Sequence, residues 1–267
     1  MAFEPSVAVF DACILYPFHL RNVVIQVAVD RVVEARWTPT RASRPAGEAR
    51  ITYDPNVETV QLSSKGCNMR IFLAGVSCVG KTTIGAQLAG LLEYRFFDLD
   101  VETERFFGTS IERLRNRHLT SHDFRLMASR ALKHVLSRED SCNCVIALPP
   151  SGLLGGYWKV VKEARDATIV VLQDIAENIL DRITFYDIDS RPVPRNLTDR
   201  EKGLYLREIK RDIAYFSRSF RRADMSVDIA GCSPAEASRK VRDALTPLLL
   251  NPGEALQQRS AWTHAVV

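Results

Sequence analysis

The chain has 267 residues, 46% of them hydrophobic and 25% charged, with a formal net charge of +4. That is the make-up of a globular protein with material for a full core, and the mild basic bias suits phosphate-bearing ligands without reaching the charge of a nucleic-acid-binding protein. No leader-like segment opens the chain and no apolar run approaches a membrane span, while the six cysteines lack zinc-site spacing. A cytoplasmic protein with reduced thiols, no membrane contact and no nucleic-acid partner is therefore expected.

Residues 1–37 open with a strand-like run, "SVAVF", followed by Asp11 and an amphipathic helix over "LRNVVIQVAVDRVVEARW". Residues 38–68 mix Pro, Gly, Ser, Thr and charge without helical periodicity and read as a linker. From residue 69 to about 250 the pattern changes to alternating strands and helices, and residues 251–267 form a tail. The predicted strands are 70–75, 96–100, 143–148, 168–173 and 226–230. Helices are predicted at 82–92, across 101–138, from about 156, over "AENILDRI" and at 234–248, with a charged segment between 185 and 222. β-branched, apolar strands separated by helices predict a parallel sheet covered on both faces.

The strongest chemical signal is "GVSCVGKTT", Gly75 to Thr83, which fits G-x4-G-K-[ST] between a predicted strand and a predicted helix. Glycines at Gly75 and Gly80 let the backbone close around a phosphate chain, and the N–H groups of Cys78 to Thr83, at the helix N-terminus, present a positive concavity. Val79 lies inside this turn, Lys81 can reach the terminal phosphates, and the hydroxyl of Thr82 can ligate Mg²⁺. The second predicted strand ends in Asp98-Leu99-Asp100, whose alternation puts two carboxylates on one side beside this loop. One carboxylate suits a metal ion and the other the proton of an acceptor hydroxyl; an aspartate there also suits a helix N-cap.

The stretch "MRIFLAGVSCVGKTTIGAQLAGLLEYRFFDLDVETERFFGTSIERL" resembles the start of a shikimate kinase, and the resemblance extends over about residues 69–249. It implies an α/β, nucleoside-monophosphate-kinase-like P-loop fold with a five-stranded parallel sheet in the order 2-3-1-4-5, and ATP with Mg²⁺ as cofactors. It further implies that Asp100 contacts the acceptor hydroxyl, Asp98 lies near Mg²⁺, and Arg125 of Phe124-Arg125 binds the acceptor's carboxylate. By the same resemblance Arg182 packs on adenine, Arg191 is a lid arginine reaching the phosphates, and Arg211, four residues before Tyr215, is a second carboxylate-binding arginine. Phosphoryl transfer spreads negative charge over several oxygens, and the guanidinium fork suits both that charge and a carboxylate. The remaining cations of 186–222 read as solvated helix charge, with Glu201 and Glu208 spaced to pair with neighbours.

Two departures from the family pattern fall on the acceptor side. Leu148-Pro149-Pro150-Ser151-Gly152 stands where shikimate kinases carry a glycine triplet, and Ala128 stands where they carry a glutamate. The expected activity is transfer of the ATP γ-phosphoryl group to shikimate or a related hydroxy acid. The alternatives are a P-loop kinase for a sugar acid or nucleotide, and a non-catalytic ATP-binding regulatory module. A monomer or weak homodimer is expected. Separately, residues 1–37 resemble the opening of a PIN-domain nuclease, in which the first aspartate binds a metal. Asp11 alone matches, and the P-loop strand begins too soon for the rest of such a domain, so a nuclease role is not expected.

Overall fold

The computed structural model describes Ser6–Asp11, Val33–Thr38 and residues 69–250 apart from residue 165. The chain divides into two compact units, one comprising Met1–Ser63 with Leu119–Ser121 and the other the remainder. In the first, β1 (Ser6–Asp11) and β2 (Val33–Thr38) pair in parallel, from Ser6 opposite Val33 to Asp11 opposite Thr38. Residues 33–37 of the helix expected across 20–37 are therefore strand, and the rest of that expectation lies outside the described residues. Val33, Ala35 and Trp37 alternate with Glu34, Arg36 and Thr38, and a period of two favours a strand over a helix. Residues 12–32, most of the expected linker and the tail 251–267 lie outside the described residues.

The second unit begins with β3 (Arg70–Ala74), α1 (Lys81–Leu92) and β4 (Arg95–Asp98). Three helices follow, α2 (Leu99–Phe107), α3 (Ile111–Asn116) and α4 (Ser121–Ser137), before β5 (Cys144–Ala147). The chain then runs through α5 (Gly155–Glu163), β6 (Ala167–Gln173), α6 (Ala176–Asp181) and a two-stranded antiparallel ribbon of β7 (Phe185–Tyr186) and β8 (Pro192–Val193). It closes with α7 (Asp199–Phe220), β9 (Met225–Asp228) and α8 (Pro234–Leu250).

Five strands form one parallel sheet in the order β4-β5-β3-β6-β9, which is 2-3-1-4-5 when the strands of this sheet are counted in chain order. Its central strand is buried throughout, and Phe72, Ile146 and Ile169 pack with Leu132, Tyr157 and Val161 of the helices on one face. α1 and α8 pack together, burying Ile84, Leu88, Val241 and Leu245. The register aligns Leu73 and Asp98 with Ala147, so the turns leaving β3, β4 and β5 emerge side by side at the carboxyl edge. That edge is where open α/β sheets bind ligands.

β4 ends two residues before the expected boundary. Asp98 Oδ1 accepts the Asp100 N–H at 3.0 Å, making Asp98 the N-cap of α2 and turning the chain into a helix. Asp100 thus sits in the first helical turn rather than on the strand. The charged segment also contains the β7–β8 ribbon, which short strands with a proline hide from a periodicity reading. Cys78, Cys144 and Cys232 are free thiols, whereas Cys142 is disulfide-bonded, against the expectation that every cysteine is reduced.

At the opposite end of the sheet, the buried Arg70 donates from Nε to Ser141 O at 3.1 Å and from Nη2 to Leu136 O at 3.4 Å, tying the end of α4 to the first residue of β3. Replacing Arg70 with Met removes both of these bonds and leaves each carbonyl one weaker donor, the Ser141 hydroxyl for Leu136 O and the Cys144 thiol for Ser141 O. Urea denaturation of Arg70→Met is expected to show a loss of about 1–3 kcal/mol in unfolding free energy with an unchanged m-value.

Candidate active site

The loop between β3 and α1 has the backbone of a phosphate cradle. Gly75 and Gly80 adopt φ of 147° and 104°, and Cys78 sits at 58°. A Cβ on Gly75 would lie 2.9 Å from both Leu172 O and Val79 Cγ1, so only glycine fits that turn. Val79 is buried beneath the loop while Thr82 and Thr83 are exposed above it. α1 begins at Lys81 with no side-chain cap and no acidic residue in its first turn. Its leading N–H groups are thereby left for an anion.

Lys81 Nζ donates to Gly75 O at 3.0 Å and Val76 O at 2.7 Å, folding back over the loop that it serves. Burial pulls its ammonium down to about 8, against the opposing charges of Asp100, Cys78 and Asp98. Burial also pushes the Cys78 thiol up, which makes it a packing group of the loop rather than a reactive thiolate.

The two aspartates divide their work. Asp98 Oδ2 accepts the Thr82 hydroxyl at 2.6 Å while its Oδ1 caps α2. Asp100, two residues on, has a buried Oδ1 with no hydrogen-bond partner. Burial raises its carboxyl to about 6; Arg115 pulls it down, Asp98 pushes it up, and Lys81 and Glu112 act more weakly. Arg115 is itself buried, 3.4 Å from Glu112, with its guanidinium 5.2 Å above the Phe124 ring.

Arg125 follows Phe124 on α4 and meets the start of α5. A Cβ on Gly155 would lie 3.2 Å from Arg125 Nε, and one on Gly156 would lie 2.7 Å from Arg125 O and Leu126 Cα. The glycine pair therefore lets α5 press on α4 and carries Tyr157 into the interior, where its hydroxyl is buried and unpartnered. Burial pushes this phenol far up, and the charges it feels are those of Asp100, Arg115 and Arg125.

Asp100, Arg115 and Tyr157, which carry the orphaned atoms Oδ1, Nε and Oη, lie within electrostatic reach of one another. Each buried polar group without a partner costs about 1–3 kcal/mol, against a total stability of about 5–15 kcal/mol for a typical domain. Unpartnered buried atoms of this kind are ones that a polar ligand could satisfy.

The other expected site residues are spread around this centre. Arg182 pairs with the carboxylate of Asp174 just past β6, within electrostatic reach of Cys78 in the cradle. Arg191 is exposed at the end of the 187–191 turn, its N–H donating to Asp187 Oδ1 at 2.9 Å. That turn is fastened to α2 and α3: Ser190 Oγ donates to Glu104 Oε1 at 2.5 Å, Ser110 Oγ to Ile188 O at 2.7 Å, and Arg113 Nε to Asp189 Oδ1 at 2.8 Å. Arg211 is not drawn into the buried cluster. Its side chain is 75% exposed and pairs with Glu208 on the same helix at 2.6 Å.

Sequence reasoning passed over Arg115, Tyr157 and Arg222. Arg222, read as solvated charge, donates to Leu153 O and lies 5.0 Å over the Trp158 ring, steadying the loop beyond β5. A usable signal for Tyr157 was the Gly155-Gly156 pair before an aromatic, which marks a close approach of backbones. Arg115 sits in a run of helix charges and carries no such mark.

The donor set fits a nucleotide with Mg²⁺. Gly75 and Gly80 hold the positive φ of the cradle over an uncapped helix N-terminus, and Thr82 and Asp98 lie together beside it. Among the described residues no group of three or more His, Cys, Asp or Glu could hold a metal by itself. Mg²⁺ is held chiefly by substrate phosphates with one or two protein oxygens, which Thr82 and Asp98 could supply.

Fold and cradle together define a P-loop phosphotransferase. The family model for shikimate kinase matches residues 77–245. Shikimate kinase from Neisseria gonorrhoeae is 32% identical over 176 residues, covering 63% of this chain and 92% of that one. The bifunctional shikimate kinase/3-dehydroquinate synthase of Thermotoga maritima is 32% identical over 162 residues, 59% of this chain but 29% of that longer protein. The crystal structure of shikimate kinase from Bacteroides thetaiotaomicron shares the fold, with a TM-score of 0.55 at 22% identity, covering 67% of this chain and 98% of that one. The chain belongs to the shikimate kinase family, ATP- and Mg²⁺-dependent phosphotransferases that act on an alcohol group. The match begins at residue 77, so it lends nothing to the resemblance of residues 1–37 to a PIN domain.

In the nucleotide- and metal-free protein, the Asp100 carboxyl is expected to titrate near pH 6, rather than the usual value of about 4. Arg115→Met is expected to move that midpoint upward, since the charge it removes favours the carboxylate. Carboxyl ¹³C NMR reads both values.

Proposed function

We propose that this chain transfers the γ-phosphoryl group of ATP to a hydroxyl of a small hydroxy acid, shikimate or a close relative. The observation that carries the reading is the pairing, at one sheet edge, of a phosphate cradle with a buried aspartate whose carboxyl is raised to about 6.

In this reading the loop formed by Gly75, Cys78, Val79, Gly80, Lys81, Thr82 and Thr83 wraps the phosphates. Thr82 and Asp98 hold Mg²⁺, and Arg182 lies beside the base. The bound nucleotide supplies the transferable phosphoryl group, and Mg²⁺ neutralises charge across its phosphates. Asp100 takes the proton from the acceptor hydroxyl as that oxygen attacks. Lys81 and Arg191 neutralise the negative charge that develops on the transferring group, Arg191 arriving on the ribbon that α2 and α3 hold down. Arg125 takes the acceptor's carboxylate in its guanidinium fork. Arg211 is left out, because Glu208 holds its exposed guanidinium.

Every group in this scheme comes from one chain, so a monomer or weak homodimer suffices. No described helix is long and apolar enough to cross a membrane, and a free small-molecule acceptor, met in the cytoplasm, is the partner this site implies.

A coupled assay of ADP release against shikimate, other hydroxy acids, sugar acids and nucleotides tests the reading. Release stimulated at least tenfold by a hydroxy acid is the expected result; no stimulation by any compound would favour a non-catalytic ATP-binding module. Asp100→Asn is expected to lower kcat by about 10²–10⁴-fold while leaving ATP affinity within a factor of two.

A further inference from the structure

The end of β5 has a donor deficit. Leu148 leads into Pro149 and Pro150, which have no N–H to offer. Gly152 N–H closes a turn onto Pro149 O at 2.8 Å, with Pro150 at the position where proline pre-sets the turn. The N–H groups of Leu148 and Leu154 are likewise engaged, with Leu73 O and Ser151 O, both at 2.9 Å. Asp98 is level with Ala147 across the β4–β5 pair, so this loop and Asp100 leave the sheet side by side. An acceptor seated on Asp100 would therefore meet a strand end with most of its backbone donors absent or spent.

Two side chains there, Tyr157 and Arg115, each keep one buried donor atom without an acceptor. Tyr157, fully buried, enters from the first turn of α5, where Gly155 and Gly156 bring that helix against Arg125. Arg115, buried on α3, rests on Phe124 beside Arg125; Glu112 takes one of its terminal nitrogens while Nε has no partner. Asp100 Oδ1 supplies the complementary buried acceptor. Glu112 and Lys81 are further charges felt there. Two donors, one neutral and one cationic, within electrostatic reach of an unpartnered carboxylate oxygen match the oxygens of a small polyhydroxylated acid.

We infer that Tyr157 and Arg115 are acceptor-binding residues, their hydroxyl and Nε donating to oxygens of a hydroxy acid where the Pro149-Pro150 turn offers no backbone donor. This rests on the kinase reading of Asp100 and adds the side chains that hold the acceptor there. It assigns specificity to two positions outside the expected site set, and it explains why the prolines are compatible with a working site.

The test uses the full chain, with shikimate as the acceptor probe and its methyl ester as the uncharged comparison. Calorimetry measures acceptor binding in the presence of ADP and Mg²⁺, and urea melts measure the ligand-free protein. Tyr157→Phe is expected to weaken shikimate binding about tenfold, the loss of one hydrogen bond. Without ligand, its stability should be unchanged or higher, because the hydroxyl has no structural partner. Arg115→Met leaves Glu112 without its cation, so the double variant Glu112→Gln/Arg115→Met is measured alongside it. Both are expected to weaken binding by about 10–100-fold for shikimate, less for the ester, with the effect in acceptor KM and the KM for ATP unchanged.

Equal shikimate affinity in wild type and variants overturns the inference. A stability loss in ligand-free Tyr157→Phe also overturns it, since the hydroxyl would then serve the fold. So does a wild type that ignores hydroxy acids but phosphorylates a neutral sugar or nucleotide, although the kinase reading would survive that result. Conversely, variant-sensitive binding of shikimate without any ADP release supports the inference and removes the kinase reading.

Discussion

The carboxylate of Asp98 is the joint on which the site depends. One oxygen accepts the Thr82 hydroxyl from the first turn of α1, and the other accepts the Asp100 N–H at the start of α2. A single side chain at the end of β4 therefore sets the phosphate-binding helix against the helix that carries Asp100. Because Asp98 is in register with Ala147 and β5 pairs with β3, the joint is referenced to the centre of the sheet. A hydrogen bond to a charged group is worth about 1.5–3 kcal/mol, roughly twice a neutral one, which suits a joint that must fix geometry between two helices.

The two halves of the site solve their binding problems by different means. On the nucleotide side the backbone does the work: positive-φ glycines, an uncapped helix N-terminus and one lysine. That solution depends little on neighbouring side chains. On the acceptor side, the β5 turn is rigid and poor in donors. There the proposed acceptor surface is made of side chains, Asp100, Arg115, Arg125 and Tyr157, carried by α2, α3, α4 and α5. Side-chain recognition is more specific and more costly, because buried atoms such as Tyr157 Oη and Asp100 Oδ1 have no partner within the protein. Asp100 Oδ1, Arg115 Nε and Tyr157 Oη belong to this side of the site and not to the cradle.

Much of this was legible in the sequence, for physical reasons that also explain the omissions. Gly75, Gly80, Lys81 and Thr82 are read from local spacing because a phosphate cradle is a local object. The strand-helix alternation gave the parallel sheet because its strands are continuously apolar. Asp98 and Asp100 were visible as a pair, but their division into cap and buried carboxylate required the turn into α2. Arg115, Tyr157 and Arg222 matter through partners far along the chain, such as Leu153 O for Arg222, 69 residues away. No local pattern encodes such a contact. The β2 strand was lost to a helical reading because "VEARWT" follows directly on helix-periodic sequence.

The prolines after β5 turn from an anomaly into a design constraint. A glycine-rich turn at that point would offer backbone donors; a Pro-Pro turn cannot, and in the inferred site the surrounding helices supply donors in their place. The most direct test is a crystal structure of the chain with ADP, Mg²⁺ and shikimate. The account predicts an acceptor hydroxyl on Asp100, with Tyr157 Oη and Arg115 Nε each within about 3 Å of an acceptor oxygen. An acceptor bound with Tyr157 and Arg115 turned away, or held by the backbone of the Pro149-Pro150 turn, would contradict it.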